Sequence, residues 1–191
     1  LYLLSYEFLL RVVNEAVPLE RGTAEEILCL PDGRHSAVVV VQADGGIPEL
    51  VIRLRTRKHR PQGSVLRRTC TCRDFKQVVE YSTCVVHRLE PLLEKVQVGQ
   101  KIFSLHTAAE YLQTLRSSLQ LLEVPLAERY TWKCFRAEKA TALASSGSSL
   151  PQVLQSGDWR SAAILNYAAE DVWRVQSFID QAASLSDEEE C

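Results

Sequence analysis

Thr131-Trp-Lys-Cys-Phe-Arg136, Ala140-Thr-Ala-Leu-Ala144 and Gly157-Asp-Trp-Arg-Ser-Ala-Ala-Ile-Leu-Asn-Tyr167 form the stretch on which the reading of this 191-residue chain turns. Lys133 and Arg136 are three positions apart, a spacing that puts both cations on one face of a helix. A glycine-punctuated turn follows, then a second polar cluster that ends on Tyr167. Two fixed cations and a tyrosine suit phosphodiester transfer through a phosphotyrosine. Arginine holds a non-bridging phosphate oxygen bidentately. A tyrosine, with a free pKa of about 10, becomes a usable nucleophile only beside strong positive charge.

Outward from this stretch the chain reads as a run of helices. Leu89–Val96 is a short amphipathic piece. Thr107-Ala-Ala-Glu110 has the pattern of a capping box and opens a long helix to Glu123, with Tyr111, Leu112, Leu115, Leu119 and Leu122 as its apolar positions. Pro125 ends it. Trp132–Ser145 is the helix of Lys133 and Arg136, closed by Gly147. Ser149 caps a helix that starts at Pro151 and ends at Gly157. Ser161–Tyr167 and Asp171–Leu185 complete the series, and the tail from Ser186 is expected to fray.

The first half is different. Tyr2–Ala16 is apolar at near-helical spacing and predicts one helix, stopped before Pro18. Thr23-Ala-Glu-Glu26 is another capping-box pattern. Ser36–Gln42 and Leu50–Arg57, joined by Ala43-Asp-Gly-Gly46, read as a β-hairpin, and Ser64–Thr69 as a third strand after the break at Pro61-Gln-Gly63. The expected fold class is α+β: mostly helical, with a small antiparallel sheet in the N-terminal half. One domain over residues 1–185 is expected, with a Cys/His insert at about 68–88 and an acidic tail over 186–191.

That insert carries Cys70-x-Cys72 and Cys84-x-x-His87. Three thiols and one imidazole can close a tetrahedral zinc site of a structural kind. Free core thiols are the second reading and disulfides the third, since nothing in the sequence indicates export. Cys29, Cys134 and Cys191 form no spacing pattern.

Composition narrows the classes of function. No apolar run approaches the roughly 20 residues of a membrane span, and the N-terminus lacks the pattern of a secretory signal. An intracellular, reducing compartment is the default expectation. The chain contains no methionine, so it is expected to be part of a longer product. Net charge is −2, yet Arg53, Arg55, Arg57, Lys58, His59, Arg60, Arg67 and Arg68 crowd one stretch while Asp187–Glu190 form the tail. A basic stripe of this kind suits a polyanion, or else a solvated hairpin edge kept charged against aggregation.

Taken together, these segments resemble the tyrosine recombinase (phage integrase) family, in the branch carried by eukaryotic mobile elements, over nearly the whole chain. Leu9-Leu-Arg-Val-Val-Asn-Glu-Ala16 resembles the family's first box, with Arg11 as its arginine. Arg57-Lys-His-Arg-Pro-Gln-Gly-Ser64 resembles the hairpin segment, with Lys58 as its lysine. Thr131–Arg136 stands where the family has H-x-x-R. Gly157–Tyr167 resembles the G-x-W-R-S-x-A-x-x-x-Y ending, the most specific match, with Tyr167 as nucleophile. The resemblance implies a catalytic set of Arg11, Lys58, Lys133, Arg136, Trp159 and Tyr167. Arg55, Arg57, His59 and Arg60 would meet DNA.

It further implies double-stranded DNA as partner, a homo-oligomer on that DNA, an N-terminal DNA-binding domain missing from this fragment, a nuclear or cytoplasmic location, and no catalytic cofactor, membrane or small-molecule substrate. Three departures stand out. Lys133 replaces the histidine, Asp158 lies where the family's histidine or tryptophan commonly falls, with Trp159 next to it, and Glu138 adds an acid. Two other classes remain as rivals: an inactive DNA-binding domain of the same fold, and a zinc-stabilised protein-interaction domain.

Overall fold

The structure, a computed structural model, describes residues 1–29, 35–57, 62–72, 83–157 and 159. The fold is α+β and divides into two compact units, one of Leu1 and Val12–Tyr111, the other of Tyr2–Arg11 and the chain from Leu112.

The first unit is built on a four-stranded sheet of order β1-β2-β3-β4, formed by Glu20–Arg21, Ala37–Gln42, Pro48–Leu54 and Ser64–Thr69. The hairpin and third strand lie where alternation and turn residues put them. β2 pairs antiparallel with β3 from Ala37↔Arg53 to Gln42↔Pro48, and β3 with β4 from Glu49↔Thr69 to Leu54↔Ser64. The sheet is mixed rather than purely antiparallel, because β1 runs parallel to β2 through Glu20↔Ala37 and Arg21↔Val38. A parallel neighbour needs a crossover. Here the chain makes it through α2 (Ala24–Cys29), opened by the reciprocal Thr23 and Glu26 bonds of the expected capping box. A strand of two residues carries no periodicity that a sequence pattern could reveal.

α2 and α3 (Val85–Lys95) both pack on β2 and β3. Ile27 of α2 sits against Gly22 and Ala37, whereas Glu90, Leu93 and Glu94 of α3 share a depression of about 200 Å³ with Val40 and Gln42. Successive β3 residues Leu50, Val51 and Ile52 are all inaccessible, so both faces of that strand are covered. β3 is buried almost throughout (Leu50, Val51, Ile52 and Leu54), while edge strand β4 alternates between half-buried and exposed. Gly63 leads into β4 at φ +77°, and a Cβ there would run into the carbonyl oxygens of Leu54 and Arg55. Only glycine lets the two strands meet so closely after the turn.

The expected helix over 2–16 is not continuous. α1 covers Tyr2–Glu7, Leu9 adopts φ 52°, and a π-type turn spans Val12–Ala16. Phe8, Leu9 and Leu10 are all fully buried. Three successive side chains cannot share one face of a helix, and the reversal at Leu9 lets each find apolar surroundings, against a left-handed cost of about 1–2 kcal/mol.

The second unit is helical among its described residues. α1 packs on α5 (Trp132–Ser145), and α5 on α6 (Leu150–Gly157). The rings of Tyr2, Trp132 and Phe135 stack at centroid separations of 5.9–6.0 Å. Lys139 reaches Glu7 at 2.9 Å and lies over the Tyr6 ring. Ala140, Leu150 and Val153 form the core between α5 and α6, joined by Leu143, Leu154 and Trp159. At the start of α6 the cap differs from the expected one: the Gln152 side chain accepts from both the backbone N–H and the hydroxyl of Ser149.

α4 (Ala108–Leu121) begins at the expected Thr107–Glu110 box, but it has no fully buried residue, and Leu122 just beyond it is 73% exposed. It ends at Leu121 rather than Glu123, and Glu123 itself takes a left-handed backbone conformation. No helix among the described residues is long and apolar enough to cross a membrane.

Candidate metal centre and the Arg136 contact

Two ends of regular structure bring the Cys/His set together. The Cys70 N–H donates to Pro48 O at 2.8 Å, carrying the β3–β4 ladder one residue past Thr69. The chain then folds back, so that the Cys72 N–H faces Cys70 Sγ at 3.4 Å. Across from it, α3 starts at Val85 rather than near Leu89, with Cys84 in the N-cap position. Cys84 and His87 are thus three apart across the first helical turn, on one side.

The result is a compact donor set in which Cys70, Cys72, Cys84 and His87 place one ligand atom each within 4.8 Å of the others. Cys70 Sγ lies 3.8 Å from Cys84 Sγ and 3.8 Å from His87 Nδ1, and Cys72 Sγ lies 3.2 Å from the same nitrogen. In a tetrahedron with metal–sulfur bonds of about 2.3 Å, sulfurs stand about 3.8 Å apart. The four residues therefore fit a metal ion such as zinc, with Nδ1 as the ligating nitrogen, since Nε2 is farther from Cys70 at 4.0 Å. Cys70 and Cys84 are each 8% exposed and His87 is 4% exposed, while Cys72 is half-buried.

The thiols are unequal. Burial pushes the Cys70 thiol up to about 11, with the neighbouring Cys84 and Cys72 side chains adding to the rise against one backbone N–H. Burial also raises Cys84, but the backbone N–H groups of His87, Thr71 and Val86 outweigh it and leave that thiol below its ordinary range. Metal binding must therefore drive a proton off Cys70, whereas Cys84 is already biased toward thiolate.

In the helical unit the contact that matters is at Arg136. This side chain is buried, donates from Nη2 to the Gly157 carbonyl at 2.8 Å, and holds its guanidinium carbon 4.8 Å from the Trp159 ring centre. Gly157 makes room: a Cβ there would enter the Trp159 ring. Thus Arg136 and Trp159, expected together from two separate boxes, do meet.

The other expected site residues are distributed as follows. Lys133 is exposed on the first turn of α5, and Arg11 is half-buried just after α1. Arg55 is exposed. Arg57 is held inside, its Nε 3.4 Å from Glu15 Oε1, with both side chains at 2–3% exposure. That carboxylate matches its charge, so Arg57 is engaged within the fold. Lys58, His59, Arg60 and Tyr167 lie outside the described residues, as do the expected helices 161–167 and 171–185 and the acidic tail. Sequence reading did not find the Glu15 partner of Arg57. Glu15 is 42 positions from its partner, and no local signal links them.

Compared with known proteins, the chain matches no family model, no curated protein and no solved structure.

Proposed function

We propose that this chain is the catalytic domain of a tyrosine-recombinase-like protein that cleaves and rejoins double-stranded DNA, with a structural zinc ion at Cys70, Cys72, Cys84 and His87. The observation that carries the reading is the Arg136 contact with Gly157 and Trp159. It joins the two C-terminal boxes on which the resemblance chiefly rests. α1, which leads into Arg11, packs on the helix that bears Arg136.

In this reading Arg11 and Arg136 bind the scissile phosphate and offset the charge of its pentacoordinate transition state. Lys133 donates to a phosphate oxygen. Lys58 protonates the leaving 5′-oxygen. Tyr167 attacks phosphorus and forms a 3′-phosphotyrosyl link, which conserves the bond energy for rejoining. Arg55 and the segment beyond it meet the DNA backbone, and synapsis brings copies of the chain together on DNA. The zinc centre supplies no step of the reaction. Its three thiolates and one imidazole fasten the end of β4 to the start of α3.

A second reading, a DNA-binding module without cleavage, is favoured by Lys133: a protonated lysine cannot accept the tyrosine's proton.

A covalent trap separates them. The protein is incubated with supercoiled and nicked DNA, quenched in detergent and examined for a protein–DNA adduct, with Tyr167→Phe alongside. An adduct lost in the variant supports the enzyme and its nucleophile. An adduct that survives the variant rules out Tyr167. Binding without any adduct selects the module, and absence of both binding and adduct rejects the family reading.

A further inference from the structure

The metal centre is not uniformly shielded. Cys70, Cys84 and His87 are buried to nine-tenths or more, while Cys72 alone among the four is half-buried. Its Sγ lies within 4.8 Å of Cys84 Sγ. A thiolate held at a metal and open to solvent is the ligand a small oxidant reaches first. Closing a bond from Cys72 to Cys70 would make a tight ring with one residue between the two, whereas Cys84 approaches from a separate element, the start of α3, with its Sγ within 4.8 Å.

From this arrangement we infer that Cys72 is a site of oxidative modification by a hydroperoxide, resolved by Cys84 with release of the metal. The inference rests on the reading of the centre as a zinc site. Cys72 thiolate attacks the outer peroxide oxygen. The O–O bond breaks, sulfur loses two electrons and becomes a sulfenic acid, and hydroxide (for hydrogen peroxide) leaves and takes a proton from solvent. Cys84 thiolate then attacks Cys72 sulfur. The S–O bond breaks, a second hydroxide leaves and is protonated, and a Cys72–Cys84 disulfide remains. Two thiolates are oxidised, one hydrogen peroxide is reduced to two waters, and the zinc departs as the divalent ion, left with only Cys70 and His87. The new disulfide spans the same two elements as the metal did, so the centre opens chemically while β4 and α3 stay tied, and a dithiol reductant restores it.

The test uses the zinc-loaded chain. Elemental analysis comes first: absence of zinc removes the metal reading and the switch with it. With zinc present, stoichiometric hydrogen peroxide is added, release is followed with a chromophoric zinc indicator, and all six cysteines are mapped by mass spectrometry. The expected result is loss of zinc in step with a Cys72–Cys84 disulfide, reversed by dithiol plus zinc. Cys72→His, which keeps four ligands, is expected to slow release by at least about tenfold, because the most accessible thiolate of the set is gone. Zinc retained under peroxide, or released with a Cys70–Cys84 bridge or with Cys72 still reduced, overturns the switch while leaving the zinc reading intact. If the variant fails to fold, the wild-type disulfide map decides alone.

Discussion

Arg136 and Trp159 are locked to each other: the guanidinium carbon sits 4.8 Å from the ring centre while its Nη2 reaches the carbonyl of Gly157. Arginine can stack and donate in the same plane, and lysine cannot do both. A double-mutant cycle of Arg136→Ala and Trp159→Ala, followed by urea unfolding, should therefore show a coupling of about 1 kcal/mol, within the range for a partly desolvated cation–π pair. Strictly additive losses would mean that the contact carries no energy.

Glu15 and Arg57 form a buried pair with both side chains nearly inaccessible. Glu15→Ala removes the carboxylate that faces the buried Arg57 and should cost about 3–5 kcal/mol. Glu15→Leu combined with Arg57→Met should recover most of it. A loss under 1 kcal/mol in the single variant would show that water reaches Arg57.

Gly63 sits at φ +77° against the carbonyls of Leu54 and Arg55. Gly63→Ala meets both a left-handed backbone and a clash with rigid backbone atoms, so a loss of about 2–3 kcal/mol is expected. Chemical denaturation measures it. A change below half a kilocalorie would show that the β3–β4 junction can yield.

Metal removal should weaken the β-sheet unit. An ion present at about a hundred times its Kd contributes about 2.7 kcal/mol. For a chain of this length each kilocalorie shifts Tm by about 2–4 °C. Chelation should thus lower Tm by about 5–11 °C, and added zinc should restore it. An unchanged Tm after proven metal loss would deny the centre a structural role.

Affinity for the metal should fall with acidity. Cys70, held up to about 11 by burial, carries its proton throughout the range from pH 6 to 8 in the metal-free protein. Its release on binding alone makes affinity drop about tenfold for each pH unit lost. The same shift has the opposite sign for the metal-free fold. A thiol raised by folding stabilises it below the unfolded value near 9 and loses that contribution as pH climbs through about 11. Competition titrations at pH 6, 7 and 8 check the first statement, and a flat profile would contradict it.

Much of the chain was legible in advance for local reasons. Thr23–Glu26 and Thr107–Glu110 announce helix starts because their side chains satisfy backbone groups three residues away. The hairpin and β4 follow from alternation and glycine turns, and α5 spans the same residues that the sequence marks out. Cys70-x-Cys72 and Cys84-x-x-His87 mark a candidate zinc set by spacing, and the fold brings the four together. What misled were the places where burial overrode local preference. Leu9 turns left-handed so that three successive apolar side chains can bury, and the single expected helix splits there.

The sequence by itself determined the α+β class, the hairpin with its third strand, the span of α5, and the Cys/His set and the Arg136–Trp159 pair as candidates. Tertiary structure alone decided that Arg57 turns inward to Glu15, that β1 joins the sheet in parallel, and that Cys72 is the open edge of an otherwise closed donor set. Spacing and periodicity act over a few residues, whereas those three outcomes depend on which distant segment covers which side chain. Burial is a property of the packed whole.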